Sequence, residues 1–240
     1  MEGHTHIEAF TSHILNHTFP LHVYIPPNYS EQYPCQVAIT GDGQDFFKLG
    51  KIAEKMEDLI LEEGAEETIV VGVPYPRISY RRLWYAPGGE QINEYHQFLA
   101  EELVPFLQDK YHIQQGPKSC TLLGDSLAGS MGLLACLKYP HLFQRVVMMS
   151  PYVNDDLIEK VSYSHQLSFI DMYQSVGLDE VEATATDGRT LDFVEMGDRL
   201  HDVMKQHAPA QYTYKKIPGG QHVWRTWEKD LDDALAFMYG

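Results

Sequence analysis

Cysteine is scarce in this chain. Only Cys35, Cys120 and Cys136 occur among 240 residues, an odd number with no C-x-x-C spacing. A disulfide framework is therefore not expected, and thiolates are too few for a metal site. Long apolar runs are missing too. A spanning helix requires roughly 18 consecutive apolar residues, and no stretch approaches that. The opening Met-Glu-Gly-His-Thr-His-Ile-Glu-Ala-Phe has no basic stretch followed by an apolar one, so it does not read as a signal peptide. The expected setting is the reducing cytoplasm. Positive charge is also in deficit: 18 Lys and Arg face 34 Asp and Glu, a formal charge of −16. That balance argues against nucleic acid as a partner, which calls for a basic face to displace counterions. It argues equally against docking on an anionic membrane.

What is present suits a globular protein: 44% of residues are hydrophobic and 22% charged, in a length that fits one large domain over 1–240. No internal repeat or linker interrupts it. Short apolar runs alternate with segments of helical periodicity. Leu21-His-Val-Tyr-Ile25 alternates like a half-buried strand near an edge. Gln36-Val-Ala-Ile-Thr40 and Thr68-Ile-Val-Val-Gly-Val73 read as strands. Between them Leu49, Ile52, Ala53, Met56, Leu59 and Ile60 share one face of a helix over 46–63, with Asp45 as its cap and Gly64 just past its end. A further helix starts near Asn93, with Pro105 expected to kink or end it. Strands at 120–123, 146–150, 181–186 and 212–217 alternate with helices at 126–139, 191–207 and from about 226. Segments 74–92 and 152–180 read as loop or cap segments near the site. Such alternation predicts a mainly parallel, doubly wound α/β sheet with helices on both faces. Its ligand site lies beyond the carboxyl ends of the strands.

One strand end carries a chemical signature. After 120–123 comes Gly124-Asp125-Ser126-Leu127-Ala128-Gly129, and an all-apolar helix begins at once. Strand, sharp turn and buried helix make a nucleophile elbow, which lifts the Ser126 hydroxyl to the sheet edge. Gly124 and Ala128 flank it where larger side chains would collide. A serine needs a base, and in this arrangement the chain order is Ser, acid, His. Of twelve histidines, His222 alone follows the last strand, in the turn Pro218-Gly-Gly-Gln-His222. Trp224 and Trp227 are placed to pack beneath its ring. The acid must follow a strand between the two. Asp187, directly after 181–186, is favoured over Asp192, which also suits the start of the next helix. An oxyanion hole needs two backbone donors. Leu127 N–H is one; the other is assigned to Gln44, with Gly43 second, in the loop after Thr40.

Several motifs, in order, resemble the esterase D and enterochelin-esterase-like branch of the α/β-hydrolases. They are V-Y-I-P-P-N-Y at 23–29, G-D-G-Q-D-F-F at 41–47, E-E-L-V-P-F-L at 101–107, L-L-G-D-S-L-A-G at 122–129, Y-P-H-L-F at 139–143, M-S-P at 149–151 and P-G-G-Q-H-V-W-R-T-W at 218–227. The resemblance implies an α/β-hydrolase fold and a cofactor-independent serine esterase, with a triad falling on Ser126, Asp187 and His222. Two departures are visible: Ala128 where the family usually has glycine, and Gln221 inserted before the histidine. Within such a family a siderophore-lactone esterase is one expectation. A thioesterase or acyltransferase of the S-formylglutathione-hydrolase kind is another, and a non-catalytic binding module of the same fold a third.

The charge is unevenly spread. Residues 45–67 carry −5 and 154–200 carry −8, whereas 68–89 hold Arg77, Arg81 and Arg82 without any acid. With Trp84 and Tyr85, and with Tyr75 and Tyr80 nearby, these arginines are candidates to line a pocket for an anionic or aromatic small-molecule ester. The alternative is that they pair with acidic helices. His4-Thr-His6 has the spacing of a metal-binding pair but is expected to fray. No H-E-x-x-H, P-loop or G-x-G-x-x-G occurs, so neither metal nor cofactor is expected.

Overall fold

The computed structural model describes residues 1–240. The chain enters through an antiparallel hairpin, β1 (His4–Ser12) and β2 (His17–Ile25). There follow β3 (Gln36–Thr40), α1 (Gly43–Lys48), α2 (Ile52–Glu63), β4 (Thr68–Gly72), α3 (Ile78–Tyr85), α4 (Ile92–Gln97), a π-helical turn (Phe98–Leu103), α5 (Val104–Lys110) and β5 (Cys120–Asp125). The second half runs through α6 (Leu127–Lys138), β6 (Arg145–Met149), α7 (Asp155–Ser162), β7 (Asp171–Gly177), a short hairpin of β8 (Ala183–Thr184) and β9 (Thr190–Leu191), α8 (Phe193–His207), β10 (Gln211–Ile217) and α9 (Trp224–Tyr239). The strands form one eight-stranded sheet in the order β1-β2-β4-β3-β5-β6-β7-β10, with β8 and β9 outside it. From β4 to β10 every pairing is parallel. This is the α/β-hydrolase architecture.

Alternating side chains of the central strands feed two apolar clusters. Val37, Ile39, Leu122, Val146, Met148 and Met172 face one side, with α3 to α8 packed over them. Ala38, Val70, Leu123, Val147, Met149 and Tyr173 face the other, under α2 and α9. Helix α6 lies within the first layer and is buried on every side from Leu127 to Cys136, which is why its sequence is apolar all round. All three cysteines are buried as free thiols. No helix is long and apolar enough to cross a membrane.

Six expectations require correction. The start of the chain does not fray: buried Glu57 accepts the amides of Glu2 and Gly3 at 2.7 and 2.6 Å and the Tyr24 hydroxyl at 3.3 Å. His4 and His6 therefore sit in β1 with their rings stacked 5.8 Å apart. Helix 46–63 is two helices, broken where Lys51 adopts φ 53° and where a side chain on Gly50 would meet the Phe46 carbonyl. Asp45 lies inside the first of them and does not cap it. Pro105 does not end its helix: a π-helical turn precedes it, and the proline stands in the first turn of α5, which runs on to Lys110. The largest error concerns 152–180, which is no cap. It contains β7, buried at every position. The strand reads as polar because it carries Asp171, Gln174 and Ser175. Two of the three are met within the protein: Gln174 donates to Gly197 O and accepts from Tyr212, and Asp171 pairs with Lys118. The expected strand 181–186 is instead the small β8–β9 hairpin.

His96 illustrates how polar groups are buried here. Its Nε2–H donates to the Met131 carbonyl at 3.1 Å, and burial, only partly offset by that bond, lowers its pKa to about 3. The folded ring stays neutral while the unfolded one charges below its ordinary 6.5. Stability is therefore lost as pH falls from 6.5 towards 3, by up to about 1.4 kcal/mol per pH unit from this group. His96→Gln keeps the donor and cannot take up the proton. Urea midpoints of the variant should fall less steeply than those of the wild type between pH 6.5 and 4.5, and equal slopes would show that His96 is not responsible.

Candidate active site

Strand β5 ends at Asp125, and Ser126 takes φ 51° and ψ −117° before α6 begins. That strained turn is held from both sides. Ser126 N–H donates to Met149 O at 2.8 Å, and Tyr152 N–H donates to Ser126 O at 3.1 Å. A Cβ on Gly124 would lie 2.2 Å from the Ala128 carbonyl carbon, so glycine is required there. The methyl of Ala128 fits because position 41 is glycine: a Cβ on Gly41 would come within 2.9 Å of it. The departure at 128 is thus compensated across the neighbouring loop.

His222 stands opposite. Its Nε2 is 3.1 Å from Ser126 Oγ, and its Nδ1 is 2.6 Å from Glu180 Oε2. The ring lies against Phe193, with centroids 3.8 Å apart and planes at 25°, and meets the edge of Trp227 at 4.8 Å. Trp224 packs on Trp227 and Phe46 instead of on the imidazole. Gln221, the inserted residue, is absorbed locally: its N–H donates to Thr226 Oγ1 at 2.9 Å.

The acid beside His222 is therefore Glu180, not Asp187. Glu180 is fully buried and lies three residues beyond the end of β7. Its other oxygen, Oε1, accepts from Ser150 Oγ at 2.7 Å and Gly177 N–H at 2.8 Å, and Ser150 Oγ accepts from Trp227 Nε1 at 3.0 Å. The loops bearing Glu180 and His222 cross glycine on glycine. A Cβ on Gly177 would be 2.3 Å from the Gly220 carbonyl, and Asp179 N–H donates to Gly220 O at 2.9 Å. Asp187 sits on the β8–β9 hairpin, exposed and paired with Arg82 and Arg189. Asp192 caps α8, accepting from Glu195 N–H at 2.8 Å. Because Ser150 donates to a carboxylate, Ser150→Ala should remove about 1.5–3 kcal/mol of positioning. We expect kcat for an activated ester to fall about tenfold or more with KM little changed; an unchanged kcat would exclude that role.

The serine and histidine open into a cavity of about 360 Å³, whose walls include Tyr75, Ile78, Arg82, Tyr152, Phe193 and Trp224. Leu127 lines it as expected. Gln44 does not: it lines a separate cleft with His22 and Phe47. The Gly43 amide is spent on Val73 O at 3.0 Å. Gly41 N–H bonds Leu123 O at 3.1 Å, three residues before Ser126, and the next residue, Asp42, is buried and is not among the residues lining the cavity. Its amide bonds no backbone carbonyl.

The arginine loop divides. Arg77 is exposed and outside the cavity. Arg81 reaches the cavity wall but is buried and paired with Asp42 and Asp125, acids of the β3–α1 loop and the end of β5 and not of the acidic helices. Arg82 lines the cavity beside Tyr152, its guanidinium 5.9 Å from that ring. Trp84 and Tyr85 are not pocket residues. Both are buried in an aromatic cluster with Phe19 and Tyr95, where helical spacing turns them inward. Three residues the sequence reading passed over, Glu180, Ser150 and Tyr152, hold or line the site. For Glu180 the rule of an acid just after a strand was sound; the strand itself was hidden.

No group of three or more His, Cys, Asp or Glu could hold a metal ion. Comparison with known proteins agrees with this architecture. A family model described as putative esterase matches residues 12–238. The uncharacterized protein YjcH of Bacillus subtilis (strain 168) is 36% identical over 96% of this chain and 95% of its own. Among solved structures, a ferulic acid esterase superposes with a TM-score of 0.82 at 15% identity, covering 99% of this chain and 98% of that one. The enterobactin esterase FES from Shigella flexneri, in the presence of enterobactin, gives 0.84 at 13% identity, with 98% of this chain matched to 58% of that one. With the family matched nearly end to end, the chain belongs to the putative esterase family and is a carboxylic-ester hydrolase.

Proposed function

We propose that the protein is a serine carboxylesterase working through an acyl-enzyme, with Ser126 as nucleophile, His222 as base and Glu180 as the acid that orients it. The observation that carries this reading is the unbroken chain Glu180 Oε2–His222–Ser126 Oγ, with spacings of 2.6 and 3.1 Å, at the floor of a cavity. Ser126 Oγ attacks the ester carbonyl carbon while its proton passes to His222 Nε2. The amides of Leu127 and Asp42 hold the oxyanion. Collapse breaks the bond to the alcohol oxygen, which takes the proton from His222. Water then repeats the sequence and releases the acid. Glu180 accepts Nδ1–H throughout and stabilises the imidazolium.

The cavity favours small esters carrying an aromatic and anionic group. Tyr75, Tyr152 and Trp224 offer ring faces, and Arg82 a cation. A ferulic acid esterase and an enterobactin esterase are among the fold neighbours, and a siderophore lactone is one candidate substrate. Three free thiols suit a reducing compartment such as the cytoplasm. The test is a hydrolysis panel of p-nitrophenyl acetate, methyl ferulate, a tri-catecholate lactone and an acyl thioester, alongside a fluorophosphonate probe. We expect covalent labelling of Ser126 and faster turnover of aryl esters than of the thioester. Absence of both labelling and turnover would refute the reading.

A further inference from the structure

A buried ion cluster lies beneath the elbow and takes no part in the proton transfers above. Arg81, on α3, points inward. Its Nε lies 2.9 Å from both carboxylate oxygens of Asp42, and its Nη2 bonds Asp42 again and Asp125 Oδ2 at 3.2 Å. The side chains of Arg81, Asp42 and Asp125 are 8%, 1% and 4% exposed. Three charged groups buried this deeply are costly unless they are mutually paired. Here they join three separate segments: the β3–α1 loop, α3 and the end of β5.

In the mechanism proposed above, the two loops it joins carry the two oxyanion amides. Asp42 stands at φ 52° in the β3–α1 loop, and Asp125 is two residues before Leu127. We propose that Arg81 is a positioning residue: by gripping Asp42 and Asp125 at once, it sets the separation of the Asp42 and Leu127 amides. The proposal rests on the esterase reading for its consequence, but the strut itself is a matter of structure. Burial, reinforced by the neighbouring Asp42 charge, pushes the Asp125 carboxyl well above the ordinary carboxylate range. One proton shared within the pair leaves the cluster neutral around a single guanidinium. Asp125 Oδ1 accepts no further bond, so the pair has no other anchor on that side. Tyr75 closes the cluster, its ring centroid 5.8 Å from the guanidinium carbon.

The geometry explains why the guanidinium is needed. Backbone bonds tie this loop to β5 only through Gly41 N–H to Leu123 O; Gly43 N–H goes to Val73 O, and the Asp42 carbonyl accepts the Asp45 and Phe46 amides of α1. Asp42 lies between the two glycines in a left-handed conformation that a non-glycine residue adopts only when held. A planar fork with donors on two edges can hold two carboxylates in one plane; an ammonium on a flexible stem cannot.

The test compares Arg81→Met and Arg81→Lys with the wild type at a temperature well below unfolding. The first readout is amide hydrogen exchange. Arg81→Met should accelerate exchange in segments 41–45 and 126–129, while the rest of the sheet keeps its protection. The second is kinetic: kcat for p-nitrophenyl acetate should fall about 100-fold, the scale of losing one oxyanion donor, with KM within about threefold. A merely structural role would not split kcat from KM in a folded variant. Arg81→Lys should recover only a small part. Millimolar methylguanidine added to Arg81→Ala should restore kcat by about tenfold or more. If Arg81→Met does not fold because two acids are stranded, the triple variant Asp42→Asn, Arg81→Met, Asp125→Asn leaves no charge and gives the same readouts. Wild-type kcat in a folded Arg81 variant, or exchange that rises uniformly, would overturn the proposal. A wild type that neither labels nor turns over would instead refute the esterase reading, and the exchange result would then decide the strut alone.

Discussion

Ser126→Ala is expected to lower kcat for p-nitrophenyl acetate by about 10⁴-fold or more and to abolish fluorophosphonate labelling. The size follows from the chemistry. Without Oγ no acyl-enzyme can form, and what persists is attack by water in a site that still holds two amides for the oxyanion. The protein should keep its fold, since Ser126 Oγ bonds only His222 and alanine tolerates the turn about as well as serine does. Residual labelling at another serine would show that a different hydroxyl reacts. His222→Ala should cost a comparable factor. Combining the two should cost little more than either alone, because they act as one unit. Additive losses would mean that the 3.1 Å contact is not the reacting pair.

Glu180→Gln is the second large effect, about 10⁴-fold in kcat. The amide can donate to Nδ1, which places the imidazole proton on Nε2 and leaves no lone pair to take the serine proton. Ser150 and Gly177 still hold the other end of the side chain, so the loss should appear in kcat more than in stability. Asp187→Asn is the control. Asp187 lies on an exposed hairpin and pairs with Arg82 and Arg189, so kcat should stay within about fivefold, the scale of a partly exposed ion pair. If Asp187→Asn were the crippling change and Glu180→Gln the mild one, the assignment from geometry would be reversed. Asp192→Ala should lower stability by about 1 kcal/mol through loss of the cap, with kcat unaffected.

The contrast between these two acids shows where local sequence is and is not informative. The elbow is legible because every residue in it answers to its immediate neighbours. Gly124 is demanded by the α6 backbone four residues on, and the helix that follows is apolar all round because it is buried all round. His222 is legible by order, being the histidine that follows the last strand. Glu180 is not. It depends on β7, a strand whose Asp171, Gln174 and Ser175 contradict the apolar pattern of a buried strand, with Asp171 and Gln174 met by the distant Lys118, Gly197 and Tyr212. Trp84 and Tyr85 fail for a related reason. Aromatic residues in a loop look available to a ligand until the turn of α3 buries them.

Strand–helix alternation determined by itself that this is a mainly parallel α/β protein, the scarcity of cysteine, of long apolar runs and of positive charge excluded other classes, and the hydrolase kind came from the elbow and the motifs that resemble the family. Short-range patterns then singled out Ser126, Leu127 and His222 as candidates, because a tight turn, a helix start and a strand end are each written within a few residues. Tertiary structure alone decided which acid meets His222, that Arg82 lines the cavity while Arg77 stays outside it, and that Arg81 is buried against two aspartates. Those choices are set by contacts between segments many tens of residues apart. A buried polar group reveals its partner only once the chain has brought the two together.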